Sequence, residues 1–126
     1  MTIINRADAE PFVTADGSMI REFLNPGIAP LHNQSLAEAT LLPGQRTTRH
    51  YHPRAEEIYF VLRGGGMMEV DGEVTEVGPG DAIAIPNGLA HQITNMREVP
   101  LVFLCCCAPS YLHEDTVLLP LEIEEG

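Results

Sequence analysis

Residues 44–64 read GQRTTRHYHPRAEEIYFVLRG, and residues 80–95 read GDAIAIPNGLAHQITN. The first stretch has the spacing Gly-x5-His-x-His-x4-Glu-x6-Gly, and the second has the spacing Gly-x5-Pro-x-Gly-x2-His-x3-Asn. In both stretches β-branched and aromatic residues stand between glycine and proline turn signals, a composition typical of short strands joined by tight turns. Three histidines and an acid therefore occupy fixed spacings within a β-rich part of the chain.

The candidate metal ligands are His50, His52, Glu57 and His91. His50 and His52 lie two residues apart on a predicted strand, so both imidazoles face the same side. Glu57 opens the next predicted strand and reaches the same interior point if the two strands are antiparallel neighbours, and His91 begins a later strand. Three neutral imidazoles and one carboxylate suit one divalent transition metal (Mn, Fe, Co, Ni, Cu or Zn) and leave one or two coordination positions open.

Eight short strands are predicted between turn signals, and no long segment shows the 3.6-residue period of an amphipathic helix. They cover residues 35–42, 47–52, 57–62, 66–70, 73–77, 82–85, 91–95 and 101–107, and residues 19–23 are a candidate extra strand. Asp71-Gly72 between two of them predicts a hairpin, because a type I′ turn needs positive φ at both positions. Short, evenly spaced strands predict an all-β domain, either a barrel or a sandwich.

The charge of the chain disfavours several classes of partner. Its 126 residues, enough for one domain, include seven basic and eighteen acidic ones, for a net charge of −11, and every basic residue is Arg. This balance disfavours nucleic acid and membrane partners, and the lack of Lys removes Schiff-base chemistry.

We find neither an apolar run of membrane-spanning length nor an evident secretory signal, so a cytoplasmic protein is expected.

The two stretches resemble the two conserved motifs of the cupin superfamily at all ten fixed positions. The sequence is therefore identified as a member of the small single-domain bacterial cupins. This resemblance implies an all-β fold, a single jelly-roll-like antiparallel β-barrel at residues 35–108. An N-terminal arm of edge strands at 1–34 and a C-terminal extension with an acidic tail at 109–126 would flank it. By the same resemblance a homodimer is expected.

The resemblance also assigns His50, His52, Glu57 and His91 to the four metal-ligand positions of the family. Glu56 is an alternative acid, because the family tolerates three or four residues before this position. The six-residue step to Gly64 favours Glu57 and turns Glu56 outward.

Alternation along the predicted strands suggests further residues of a pocket. Tyr59 shares the face of Glu57 and is a candidate to orient a substrate or donate a proton, or else a barrel-filling aromatic. Arg46 and Thr48 share the face of the first two histidines, and Asn95 shares that of His91, so all three are candidate substrate contacts. His113, beyond the last predicted strand, is either a catalytic base folded over the mouth or a surface histidine.

Three functions are compatible with these residues. Cupins with this ligand set include dioxygenases, isomerases, decarboxylases and lyases, so the resemblance favours a metal-dependent enzyme acting on a small carboxylate, carbonyl or sugar-like molecule. A non-catalytic small-molecule binding or sensing module is the alternative, and a structural or storage protein is a third possibility. The adjacent cysteines Cys105-Cys106-Cys107 are predicted to pack as small apolar residues, because neighbours on a strand face opposite sides.

Overall fold

The computed structural model describes residues 1–120. This part of the chain is almost entirely β-structure, with two single-turn 3-10 helices at Arg6–Asp8 and His113–Asp115. The strands are β1 (Phe12–Val13), β2 (Met19–Leu24), β3 (Ser35–Leu41), β4 (His50–Tyr51), β5 (Glu56–Arg63), β6 (Gly66–Val70), β7 (Glu73–Val77), β8 (Ala82–Ile85), β9 (His91–Thr94), β10 (Leu101–Ala108) and β11 (Val117–Leu118). The all-β prediction is confirmed, including the extra strand near residue 20.

The strands form two antiparallel sheets. One has the order β1-β2-β3-β10-β5-β8, and the other has the order β11-β4-β9-β6-β7. Apolar side chains of both sheets meet in a core whose most buried members are Leu41, Val61, Ile93, Leu101 and Phe103. Burial of this apolar surface supplies most of the free energy that holds the sheets together.

The predicted hairpin at Asp71-Gly72 is present. β6 and β7 pair in register from Gly66↔Val77 to Val70↔Glu73, which leaves a two-residue loop. Asp71 has φ of 50° and Gly72 has φ of 85°, as a type I′ turn requires.

The strand predicted at residues 47–52 is regular only at His50–Tyr51. The Thr47 hydroxyl accepts a hydrogen bond from the Ile93 amide (3.1 Å), while the Thr47 amide donates to the Ile93 carbonyl (3.0 Å). In a regular strand, residues three positions apart face opposite sides, yet Thr47 and His50 are both buried. The alternation of buried and exposed side chains therefore changes phase between them. This phase change decides which neighbouring side chains face the interior.

β4 and β5 are not neighbours, contrary to the arrangement considered for Glu57. They lie in different sheets, β4 between β11 and β9, and β5 between β10 and β8. Glu57 therefore reaches the histidines from the facing sheet.

Both ends of the described chain pack onto the sheets. β2 pairs with β3, and β11 pairs with β4. The acidic residues 122, 124 and 125 of the predicted tail lie outside the described residues. Within residues 1–120 neither helix has the length to cross a membrane.

Candidate metal centre

Three histidines converge between the two sheets. His50 and His91 are direct partners in the β4–β9 pair, and His52 follows β4 by one residue. One nitrogen from each ring lies within 4.8 Å of the others, and all three residues are buried. The sequence prediction of a shared interior face is correct for these three side chains.

Backbone carbonyl groups fix the orientation of each imidazole. A carbonyl oxygen only accepts hydrogen bonds, so Nδ1 of each ring carries the hydrogen and Nε2 keeps its lone pair. The acceptors are the carbonyl oxygens of Thr48 for His50 (2.6 Å), of Asp115 for His52 (3.1 Å) and of Leu89 for His91 (3.1 Å). Metal-binding histidines are commonly held in this way.

Glu57 completes a four-residue donor set. Its Oε1 lies 3.4 Å from Nε2 of both His52 and His91. Among the described residues, Oε1 of Glu57 and Nε2 of His91 are the buried side-chain polar atoms that lack a hydrogen-bond partner. Buried polar atoms are rarely left unpaired, and a carboxylate facing imidazole nitrogens is the chemistry of a transition-metal site. These residues therefore fit one divalent metal.

The electrostatics of the centre also suit a cation. Burial alone would raise the pKa of Glu57, but His52 and His91 outweigh it and lower this pKa to about 2. Burial, and then the neighbouring His91, lower the pKa of His50. Burial would also lower the pKa of His52, yet the Glu57 carboxylate raises it overall. Glu57 is thus ionised at neutral pH, and His50 favours its neutral, metal-binding form.

Cys107 holds the second oxygen of Glu57. Its buried Sγ donates a hydrogen bond to Oε2 of Glu57 at 3.1 Å. Burial, and then the charge of Glu57, raise the pKa of this thiol, which keeps it protonated as a donor. The sequence prediction of apolar packing did not include this contact, because it joins residues 50 positions apart.

Cys107→Ala is expected to lower the affinity for a divalent metal about tenfold, because Glu57 loses the group that orients it. Isothermal titration of the metal-free protein with Zn²⁺ measures this change. Cys107→Ser, which keeps a donor, and Cys106→Ala, on the opposite face of β10, should bind with nearly wild-type affinity. Unchanged affinity in Cys107→Ala would show that the thiol does not position Glu57.

Asp115 ties the C-terminal segment to the centre. Its carboxylate accepts hydrogen bonds from the amides of Arg54 (3.0 Å) and Ala55 (2.9 Å), and its own carbonyl accepts from His52. Asp115 is buried although its neighbours Leu112 and Glu114 are exposed. The turn between β4 and β5 and the ring of His52 are thus held by one residue.

Asp115→Ala is expected to lower the free energy of unfolding by about 2–3 kcal/mol, because two charge-assisted hydrogen bonds are lost and a buried amide is left unpaired. Urea denaturation of the metal-free protein measures this loss of unfolding free energy. The exposed neighbour provides the control, since Glu114→Ala should change stability by less than about 0.5 kcal/mol. Equal effects of the two substitutions would rule out this role.

A cavity of ≈ 40 Å³ borders the centre. It is far smaller than the several hundred Å³ of a drug-sized ligand pocket, so its ligand is small or the wall moves to admit it. Alternate residues of the N-terminal segment form one side: Thr14, Asp16, Ser18, Ile20 and Glu22. Tyr59, Phe103, Cys105 and Tyr111 are among the residues of the remaining wall. The N-terminal contribution was not predicted from the sequence, because no regular apolar–polar alternation runs through these residues and β2 begins only at Met19.

Of the other predicted pocket residues, Tyr59 alone borders this cavity. Arg46 and Thr48 line a different groove, on the outer surface. The prediction that they share the interior face of His50 and His52 is wrong, because the alternation changes phase before His50. Asn95 is buried below β9, where its amide donates to the carbonyl groups of Leu41 and Val99. Its side chain therefore ties together the backbone at these two residues, and Asn95 does not border the cavity. His113 is exposed, and its Nδ1 lies 3.1 Å from the Tyr111 hydroxyl.

Comparison with known proteins decides the family. Residues 37–107 match the model of the cupin domain, which is more than half of the chain. The chain belongs to the cupin family. An uncharacterized protein of Methanocaldococcus jannaschii is 49% identical to this cupin over 110 residues, which are 87% of this chain and 88% of the relative. The tetracenomycin polyketide synthase protein TcmJ of Streptomyces glaucescens is 29% identical over 84 residues, 67% of this chain and 56% of that protein.

Solved structures show the same fold. The polyketide cyclase RemF of Streptomyces resistomycificus superposes on this cupin with a TM-score of 0.81 at 23% identity, covering 97% of this chain and 87% of RemF. A predicted oxalate decarboxylase of Thermotoga maritima gives a TM-score of 0.77 at 21% identity, covering 86% and 99% of the two chains. At these identities the likeness concerns the fold alone. It confirms the expected cupin architecture, including its jelly-roll character.

Proposed function

We propose that this cupin is a metal-dependent enzyme acting on a small, uncharged organic molecule rich in hydroxyl or carbonyl groups. The observation that carries the proposal is the pair of unpartnered buried atoms, Glu57 Oε1 and His91 Nε2, beside a cavity. A structural barrel would gain stability by replacing these polar groups with apolar ones. Their burial is best explained by a cation that binds them.

The charge of the cavity wall selects the substrate. Asp16, Glu22 and Glu57 contribute carboxyl groups to the lining, whereas none of the seven arginines lies there, and all seven belong to the described residues. Substrate carboxylates and phosphates are usually bound by arginine, and here they would meet negative charge. A neutral molecule with oxygen donors avoids this repulsion, so a carboxylate substrate is the least favoured of the three classes expected from the sequence.

Tyr59 is the proposed donor to the substrate. Burial, and then the charge of Glu57, raise the pKa of its hydroxyl well above the ordinary value, so it stays protonated at any physiological pH. The ring is held against Phe103 with a centroid separation of 4.7 Å. A fixed, protonated phenol can donate a hydrogen bond to a substrate oxygen on which charge develops. A divalent metal bound beside it would supply Lewis-acid polarisation of that oxygen or activation of dioxygen.

The names of two similar proteins support this substrate class. TcmJ is named as part of a polyketide synthase and RemF as a polyketide cyclase, and polyketides are rich in carbonyl and hydroxyl groups. The dianion oxalate, to which the name of the Thermotoga protein refers, fits the acidic wall poorly.

Matched pairs of neutral and anionic compounds test the proposal. The metal-loaded protein is incubated with a β-diketone, a dihydroxyphenol and an aldose, and in parallel with oxalate, citrate and a sugar phosphate. Thermal shift measures binding, and mass spectrometry follows turnover with and without dioxygen. We expect metal-dependent binding and turnover among the neutral compounds only. Preferential binding of the anions, or responses unchanged by chelation of the metal, would refute the proposal.

A homodimer is proposed as the assembly. Ile58, Phe60 and Leu62 on the outer face of β5 are 53%, 39% and 45% exposed, and Phe60 pairs laterally with Leu104 and Ala82 on the adjoining strands. A second copy of this face would cover these three apolar side chains, and two-fold pairing of identical surfaces is the common form of a dimer. Light scattering should give a dimer for the wild type and a monomer for Phe60→Glu. A monomeric wild-type protein would refute the proposed homodimer.

A further inference from the structure

Asp16 lies in a tight turn of the N-terminal segment that faces the metal centre. The turn is closed by hydrogen bonds from the Gly17 amide to the Thr14 carbonyl (3.0 Å) and from the Thr14 amide to the Ser18 carbonyl (3.0 Å). Gly17 has φ of 92°, which glycine adopts without strain. This backbone presents the Asp16 side chain to the cavity, where it is only 14% exposed.

The two oxygens of the Asp16 carboxylate have different surroundings. Oδ1 accepts hydrogen bonds from the Thr14 hydroxyl (2.7 Å), the Ser18 amide (2.9 Å) and the Ser18 hydroxyl (2.6 Å). Oδ2 lies 3.7 Å from Nε2 of His50. One oxygen therefore anchors the carboxylate, and the other is directed at a nitrogen of the metal centre.

The turn is also attached to the residue that orients His50. The Thr48 amide donates to the Asp16 carbonyl at 2.7 Å, and the Thr48 carbonyl accepts from Nδ1 of His50 at 2.6 Å. The amide of Thr48 thus holds the backbone of Asp16, and the carbonyl group of the same residue holds the ring of His50. A side chain fixed at both backbone and carboxylate is preorganised for binding.

We propose that Asp16 supplies a second carboxylate ligand, through Oδ2, to the metal held by the three histidines and Glu57. Two atoms bound to one ion, each about 2.1 Å from it, lie at most about 4.2 Å apart, and the 3.7 Å between Oδ2 of Asp16 and Nε2 of His50 meets this limit for that pair of ligands. Two carboxylates balance the charge of a divalent ion, so the centre does not attract anionic substrates. This inference rests on the proposed metal-dependent function and brings the N-terminal segment into the centre.

Titration of the metal-free protein with Co²⁺ tests the inference, with affinity measured by competition against a chelating dye and coordination by visible absorption. Asp16→Asn keeps an Oδ1 that can accept the three hydrogen bonds of the turn but loses the anionic Oδ2. We expect its Co²⁺ affinity to fall about tenfold or more and its absorption spectrum to change. Glu10→Gln removes an equal charge from an exposed position of the same segment and should change neither quantity.

A second variant separates the carboxylate from the turn. Thr14→Val removes one hydrogen bond to Oδ1 and retains the charged side chain, so its Co²⁺ affinity should stay within about threefold of wild type. Wild-type affinity and spectrum in Asp16→Asn, or equal losses in Asp16→Asn and Thr14→Val, would overturn the role of Asp16. Failure of the wild-type protein itself to bind Co²⁺ would instead overturn the proposed function on which this inference rests.

Discussion

His91→Gln is expected to lower the affinity for a divalent metal by at least about a hundredfold. Four protein ligands share a binding free energy of about 10–16 kcal/mol in structural zinc sites, which is about 3 kcal/mol for each ligand. Titration of the metal-free variant with Zn²⁺ measures the loss. Because Nε2 of His91 makes no hydrogen bond to the described residues, the free energy of unfolding measured without metal should change by only about 1 kcal/mol.

The contrast between metal affinity and metal-free stability makes this prediction specific. A core-filling histidine would show the opposite result, with a large loss of stability and no effect of metal. His32→Gln, at an exposed position outside the cavity, is the matched control and should leave both quantities unchanged. Undiminished metal binding by His91→Gln would remove this residue from the centre.

Gly66→Ala is expected to destabilise the fold by about 3 kcal/mol. A Cβ at this position would overlap the carbonyl oxygen of Thr94, and it would also crowd the backbone of Asn95. These atoms belong to β9 and the turn after it, so β6 could not keep its place beside the strand that carries His91. Urea denaturation measures the loss, and metal affinity should fall with it.

Gly78→Ala is the control for this substitution. A Cβ at Gly78 meets no atom within 4 Å, so its effect should stay within about 0.5 kcal/mol of zero. Similar stabilities of the two variants would show that β6 and β9 can separate at no cost.

The cupin motifs predict the strands and the four converging side chains because both depend on spacing along the chain. Strand alternation is a local property, so the two-residue spacing of His50 and His52 is enough to assign them to one face. The hairpin at Asp71-Gly72 was equally predictable, since few residue pairs adopt two consecutive positive φ values.

The predictions failed where side chains depart from regular strand alternation, and they missed contacts between residues that are far apart in the sequence. One change of phase at Thr47 turned Arg46 away from the cavity, and alternation alone carries no signal for such a change. Asp16 reaches His50 from 34 positions earlier in the chain, and Cys107 reaches Glu57 across 50 positions. Such pairs depend on how the two sheets are stacked, which no local pattern records.

The metal content of the untagged protein, purified without a metal-affinity column, is the decisive measurement. Plasma mass spectrometry on the protein as isolated, and again after reconstitution with Mn, Fe, Co, Ni, Cu or Zn, gives the element and its stoichiometry. We predict close to one transition-metal ion per chain, lost on His91→Gln and retained on His32→Gln. A protein that holds no metal even after reconstitution, or holds it equally well without His91, would contradict the metal centre proposed for this cupin.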